Sequence, residues 1–250
     1  MFQRSNAAVE RAVALDPNLI HATRQLITKR VERQEPKKAY DAAQALVKRR
    51  PENADARFAL SYVFRYAGML EESTQECDTA IALDPGNYVF RSCAWAFAYL
   101  GKPERAMDFV RLDAGSEWAP WATTHILLRE GKLAEARESA KNVSGNPRYQ
   151  RNLLQACTQP QPPPNLDRIV QDAEMSSLAQ PDPEDFYHEG SIIAYCGKTE
   201  VAFRMLKSAI SRDYCAYSDL QSDPLLAKLR GMPEFGQLLS AARECQSRYR

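Results

Sequence analysis

Between Ala54 and Ala67 the side chains sort into two apolar faces. Leu60, Phe64 and Ala67 form one stripe, while Phe58, Tyr62 and Tyr66 recur every fourth residue on another, with Arg65 alongside. This is the α-helical period, because residues three and four apart lie above one another on a helix. The same period runs through Leu166, Ile169, Val170, Ala173 and Leu178, and through Leu238, Leu239 and Ala242 near the end. The pattern predicts an all-α chain.

Regular punctuation divides it. Asp16-Pro17, Arg50-Pro51 and Asp84-Pro85 stand 34 residues apart, twice in succession. Proline has no amide hydrogen and cannot continue a helix, so each one marks where a helix stops and the next begins. A second mark is a helix-ending glycine that precedes a helix carrying a small residue. The pairs are Gly68 with Ser73, Gly101 with Ala106, Gly131 with Ala136 and Gly197 with Ala202; Gln34 and Ala39 occupy the equivalent places in the first complete unit. Glycine accepts the left-handed conformation that ends a helix, and a small residue lets two antiparallel helices approach closely. Such a period predicts stacked helix–turn–helix repeats.

These residues resemble the tetratricopeptide repeat (TPR) family. Ala39, Ser73, Ala106, Ala136 and Ala202, the later Ala80 and Ala209, and the closing Pro17, Pro51 and Pro85 match its pattern; Leu60, Phe64, Gly190 and Ile193 fit its first-helix core. The family's first-helix aromatic is replaced by Thr23, Arg57 and Arg91, though Phe186 fits it in the late unit. The resemblance implies a TPR-like superhelix of antiparallel helix pairs whose concave face binds other chains and seldom does chemistry. It divides the chain into a partial unit plus about four repeats over 1–143, a degenerate repeat with a Pro-rich turn over 144–182, and a final repeat with a C-terminal capping helix pair over 183–250.

The middle is irregular. Trp118-Ala-Pro-Trp121 interrupts the spacing, and Ser144-Gly145-Asn146-Pro147 and Gln159-Pro-Gln-Pro-Pro-Pro164 break the helical ladder. Tyr149–Cys157 and Leu166–Leu178 read as the helices of the degenerate repeat, with a flexible linker as the alternative. Residues 5–15 read as a second helix without its mate, so the expectation is a fragment or C-terminal region of a longer chain, against a short natural capping helix. Asp223, Pro224 and Gly231 cap, open and end one further helix, and Met232-Pro233 opens the last. The stretch Leu220–Leu239 resembles the ends of bacterial multidomain regulators in which a TPR array follows a Ser/Thr kinase, a nucleotide cyclase or a winged-helix domain.

Charge is balanced overall, 33 basic against 32 acidic residues, and calls for neither nucleic acid nor membrane. Locally it is not: nine Lys or Arg face four acids over 20–53, and seven acids face Arg168 alone over 166–189. Both runs read as solvated outer faces, or as two poles that steer a partner. No apolar run approaches the ~20 residues of a spanning helix, and the opening residues lack the apolar stretch of a signal peptide. Cys77, Cys93, Cys157, Cys196, Cys215 and Cys245 form no CxxC pair and no metal-ligand spacing. Buried, reduced thiols and a cytoplasmic setting are therefore expected.

A search for catalytic machinery finds no phosphate-cradling glycine loop, no kinase motif, no nucleophile elbow and no zinc spacing among His21, His125 and His188. No enzyme, cofactor or metal is expected. A partner-binding surface is easier to assemble from the first helices: Arg24, Phe58, Tyr62, Arg65, Tyr66, Tyr99, Trp118, Trp121 and His125. Aromatic rings with arginines suit a peptide groove, although the same rings also suit packing between adjacent helices. The Lys and Asn positions with which some TPR domains clamp a terminal carboxylate hold Arg24, Thr28, Ala59, Val89 and Cys93, so that specialisation is absent. The leading expectation is a non-catalytic scaffold binding a protein or peptide segment. The alternative is a regulatory module acting in cis on a bacterial signalling enzyme, its partner then being an N-terminal domain of the same chain. RNA binding is disfavoured by the balanced charge, and homo-oligomerisation is compatible with either reading.

Overall fold

The computed structural model describes residues 2–16, 19–145, 148–180 and 182–249. Pro17, Asn146 and Pro147, among the breakers named above, lie outside them. All regular structure among the described residues is helical. After α1 (Phe2–Leu15) come the pairs α2 (Ile20–Glu32) with α3 (Pro36–Arg49), and α4 (Ala54–Tyr66) with α5 (Leu70–Leu83). A 3-10 turn (Tyr88–Cys93) then runs into α6 (Ala94–Tyr99), which pairs with α7 (Pro103–Arg111). The pairs α8 (Trp118–Arg129) with α9 (Leu133–Ala140), α10 (Arg148–Cys157) with α11 (Leu166–Leu178), and α12 (Pro183–Tyr195) with α13 (Thr199–Ser211) follow. Then come α14 (Tyr217–Ser222), a 3-10 turn (Pro224–Leu226) and α15 (Pro233–Ser247).

The turns form where the sequence places them. Gly68, at φ +68°, ends α4, with the Met69 amide donating to the Phe64 carbonyl at 2.9 Å in the six-to-one bond of a left-handed helix end. In the first pair Gln34 adopts φ +62°, so this turn demands the left-handed residue even where no glycine supplies it. Ala39, Ser73, Ala106, Ala136 and Ala202 are all fully buried between the helices of their pairs. Ser73 is satisfied there by donating to the Ser61 carbonyl at 2.8 Å. Trp118-Ala-Pro-Trp121 does not interrupt α8, because Pro120 falls in the first turn, where a helix has no use for its missing N–H. The Pro-rich stretch is the connection between α10 and α11. Asp223 caps as expected, accepting from the Leu225 amide at 3.0 Å, but the segment it opens is a 3-10 turn rather than a full helix.

The stack does not stay open. Its C-terminal helices return to the concave face of the earlier repeats and bond to it across large sequence separations. Arg65 on α4 pairs with Glu184 on α12, and Arg129 on α8 pairs with Asp223. Main-chain carbonyls at the ends of first helices are also taken. Cys215 donates its amide to Tyr66, Ser218 its hydroxyl to Gly68 and Ser222 its hydroxyl to Tyr99, at 2.8 Å in each case. Gln246 on α15 reaches the carbonyls of Ala67 and Gly68 at 3.1 and 3.2 Å. The superhelix is thereby clasped, and its concave side is largely interior.

The cysteines correct an expectation. They are not reduced thiols: Cys77 pairs with Cys93, Cys157 with Cys196 and Cys215 with Cys245, leaving no free cysteine. Spacing could not reveal this, because helix stacking rather than chain proximity brings each pair together. The cytoplasmic setting inferred from free thiols loses that premise. Among the described residues no helix is long and apolar enough to cross a membrane.

Candidate functional site

Where α4, α6, α8 and α12 converge, the clasp leaves a cavity of about 430 Å³. The residues facing it come from distant parts of the sequence. From α4 come Tyr62 and Arg65; from the 3-10 turn and α6, Arg91, Ser92 and Trp95. Glu117, Trp118 and Trp121 arrive with the start of α8, and Asp182, Glu184, Asp185 and His188 with α12. Val143, Ser144 and Gln150 close one side.

The aromatic wall follows from helix periodicity. Trp118 and Trp121 are one turn apart, and both set their rings edge-on to Trp95, at 5.9 and 5.1 Å between centroids. Trp95 lies 4.3 Å from the His188 ring. These are all three tryptophans of the chain. Trp95, Trp121 and His188 are buried, and Trp118 is half-buried at the mouth beside the exposed Glu117.

The polar wall is built on one ion pair and a tyrosine relay. Arg65 donates from Nε and Nη2 to the two oxygens of Glu184, at 2.7 and 3.0 Å, and from Nη1 to the Ser92 carbonyl at 2.9 Å. Its guanidinium also lies 4.5 Å from the Tyr62 ring centre. Tyr62 stacks on Tyr66, and their hydroxyls are 3.0 Å apart. Tyr62 donates to Glu32 at 3.1 Å and Tyr66 to Asp182 at 2.7 Å. Asp182 meanwhile caps α12 by accepting from the Glu184 amide at 2.9 Å. Arg91 pairs with Asp113 and lies 5.3 Å from the Trp118 ring centre.

Burial of so many acids in one place raises their affinity for protons. Burial, then the neighbouring Asp182, pushes the Glu32 carboxyl up to about 7, against the Tyr62 hydrogen bond. Glu189, on α12 and fully buried, is pushed by burial up to about 8, opposed only by the nearby Gln150 amide, which falls short of a well-formed hydrogen bond to either oxygen. Asp185 is raised well above the ordinary range by burial and by Asp182, Glu189, Glu184 and Glu32 around it. His188 and His125 are both driven down first by burial, then His125 by Arg129 and His188 by His125, Arg129 and Arg65, so both imidazoles are neutral at pH 7. His188 keeps Nδ1 on the Tyr99 hydroxyl at 2.7 Å, while its Nε2 lies 4.0 Å from Glu184. Among the described residues no group of His, Cys, Asp or Glu could hold a metal ion.

Of the residues the sequence pointed to, Tyr62, Arg65, Trp118 and Trp121 face the cavity. The other five stand behind it. Arg24 pairs with Asp55 at 2.8 Å, and Phe58 packs on Phe90 at 5.1 Å. Tyr66 meets Tyr214 edge-on, Tyr99 holds His188, and His125 packs on Trp121 at 4.7 Å. Sequence reasoning missed Trp95, Arg91, His188 and the carboxylates of α12. The one signal available was the acidic run over 166–189: Asp182, Glu184, Asp185 and Glu189 turn inward rather than forming a solvated outer face.

An all-helical stack of antiparallel pairs, closed by terminal helices, is the class of architecture this chain defines. A chain from the crystal structure of the APC/C hetero-tetramer Cut9-Hcn1 superposes over 97% of it with a TM-score of 0.61 at 14% identity, which shows the TPR superhelical fold. This protein spans about half of that chain, 52% of its length. YrrB, described as a TPR protein with an unusual peptide-binding site, aligns with a TM-score of 0.43 at 17% identity, over 86% of this chain and 96% of its own. A chain of Naa15/Naa10 bound to HypK-THB aligns with the same score and identity, over 90% and 39%. No protein-family model and no curated protein sequence matches.

Proposed function

We propose that this protein is a non-catalytic interaction scaffold that takes a segment of another protein into the mouth of the tryptophan-walled cavity. The observation that carries the reading is the gathering of all three tryptophans on one concave cavity, with Trp118 only half-buried at its entrance. Aromatic anchors in a preformed recess are where binding energy concentrates in protein contacts.

The alternative, a module acting in cis on a signalling enzyme, draws on the unmated helix over 5–15 and on Leu220–Leu239. That segment contributes Asp223, which binds Arg129, and Ser222, which binds the Tyr99 carbonyl, so its residues serve the clasp. Three disulfides favour a thiol-oxidising compartment as the working environment.

Because every tryptophan lines the cavity, emission excited selectively from tryptophan reports on it. Titration with an arrayed set of short peptides should shift or quench that emission for a subset of sequences, and Trp118→Ala should weaken those same peptides at unchanged helicity. Peptide binding that leaves the emission untouched and survives Trp118→Ala would locate the binding face elsewhere.

A further inference from the structure

The lining residues do not balance in charge. Among the described residues, four carboxyl groups, Glu117, Asp182, Glu184 and Asp185, face the cavity with two guanidiniums, Arg65 and Arg91. Both guanidiniums are already engaged: Arg65 by Glu184 and the Ser92 carbonyl, Arg91 by Asp113. Neither is left to receive an anion. Asp182 accepts only from neutral donors, the Tyr66 hydroxyl and the Glu184 amide, and Asp185 accepts no hydrogen bond from a described residue. Among the described residues the cavity therefore presents carboxyl groups without a cationic hydrogen-bond partner, Asp182 and Asp185, opposite a wall of indole rings.

Two polar ring nitrogens of cavity-lining residues also make no hydrogen bond among the described residues. His188, 2% exposed, holds the Tyr99 hydroxyl at Nδ1, while its Nε2 lies 4.0 Å from Glu184 and makes no hydrogen bond to a described residue. Trp121, 7% exposed, has no acceptor for its Nε1. Buried polar groups are normally satisfied, and orphans on a cavity wall mark groups that a ligand can complete. Indole faces attract cations through the ring quadrupole, most strongly where water is excluded. Carboxylates with no counter-charge add direct attraction.

We infer that the cavity receives a basic side chain, lysine or arginine, carried by the partner segment: Asp185 and Asp182 meet its charge, and Trp118 and Trp95 enclose its aliphatic stem and cationic head. The inference rests on the scaffold reading and names the chemistry of its ligand. A volume of about 430 Å³ holds one such side chain with part of its backbone, and the unpaired Trp121 Nε1–H suits a peptide carbonyl. Binding supplies the counter-charge that the fold itself withholds. It also favours the ionised form of Asp185, so association strengthens as pH rises through the range where that acid loses its proton.

The test uses acetylated, amidated pentapeptides of one glycine–alanine frame with Arg, Lys, Gln or Glu at the centre, and spermidine as a free amine, read by tryptophan fluorescence and calorimetry on the full chain. The Arg and Lys peptides should bind at least tenfold more tightly than Gln, and Glu weakest. Asp185→Asn should erase most of that preference while leaving helicity and melting intact, and Trp118→Ala should weaken both basic peptides at least fivefold. If Gln or Glu peptides bind as well as the basic ones and shift the emission, the scaffold reading stands and the basic-side-chain inference falls. Spermidine binding without the basic peptides would assign the cavity to small amines and overturn it too. No response to any of these ligands would remove both the inference and the cavity as a binding site.

Discussion

Arg65 and Glu184 are 119 residues apart in sequence, yet they form a two-point ion pair at 2.7 and 3.0 Å with almost no exposure to water. The pair joins the second repeat to the last one and forms one wall of the cavity. Removing one partner leaves the other charge buried and alone, which typically costs about 3–5 kcal/mol. Arg65→Ala should therefore lower the unfolding free energy by about that amount, measured by urea denaturation. The double variant Arg65→Met with Glu184→Leu should recover most of the loss, since apolar residues of similar volume often replace buried pairs without penalty. A double variant no more stable than the single one would mean the pair is needed for the Arg65 hydrogen bond to the Ser92 carbonyl, not for charge balance.

Stability should fall as pH rises above the ordinary carboxylate range. Glu32 is held up to about 7, and Glu189 and Asp219 up to about 8, each chiefly by burial. Each folded value exceeds the unfolded one, so the folded state binds more protons across this window. The stabilisation these acids give is complete below about pH 4 and is lost as pH climbs through 7 to 8. Melting temperature should thus decline between pH 5.5 and pH 8.5, at about 2–4 °C per kcal/mol for a chain of this size. Glu189→Gln should flatten the profile. A rising profile over that interval would contradict the burial of these acids.

Gly68 and Gly101 make an internal comparison, because both adopt φ +68° at equivalent turns. A Cβ on Gly101 meets nothing within 4 Å, whereas one on Gly68 falls 2.7 Å from the Tyr217 amide nitrogen. Gly101→Ala should lose about 1–2 kcal/mol from the left-handed backbone alone. Gly68→Ala should lose about 1–3 kcal/mol more, since the C-terminal segment must back away. Equal losses in calorimetry would show that the return of 215–218 onto α4 is loose.

Unreduced protein in denaturant should titrate no free thiols, given three disulfides and no free cysteine. The Cys215–Cys245 bridge spans 30 residues and ties α15 to the stack. Cys215→Ala with Cys245→Ala should destabilise by about 3 kcal/mol, and limited proteolysis should then release the end of the chain first. Six titratable thiols in protein purified without reductant would return the chain to a reducing compartment.

The repeats were legible because they are local. Proline stops, left-handed turns and small residues at the helix contacts are properties of a 34-residue window, and Gly68, Ser73 and Ala106 sit as that window requires. The clasp was not legible, because no periodicity couples Tyr66 to Asp182 or Arg129 to Asp223. That is why Tyr66, Tyr99 and His125, expected at a binding surface, lie behind the cavity wall, while Trp118 and Trp121 face it. The acidic run over 182–189 misled for the same reason. Its polarity reads as an outer surface until the partner charge on Arg65 and the donor on Tyr66 are in view.

An open solenoid tolerates gain or loss of a unit, since each repeat contacts only its neighbours. This one cannot. Inserting a unit between α4 and α12 would rotate and translate Glu184 away from Arg65, Ser218 away from Gly68 and Gln246 away from Ala67 in one step. The interlock therefore counts: it sets the number of helix pairs in the array, and it ties repeat number, which is free to drift in other solenoids, to the survival of a single recess.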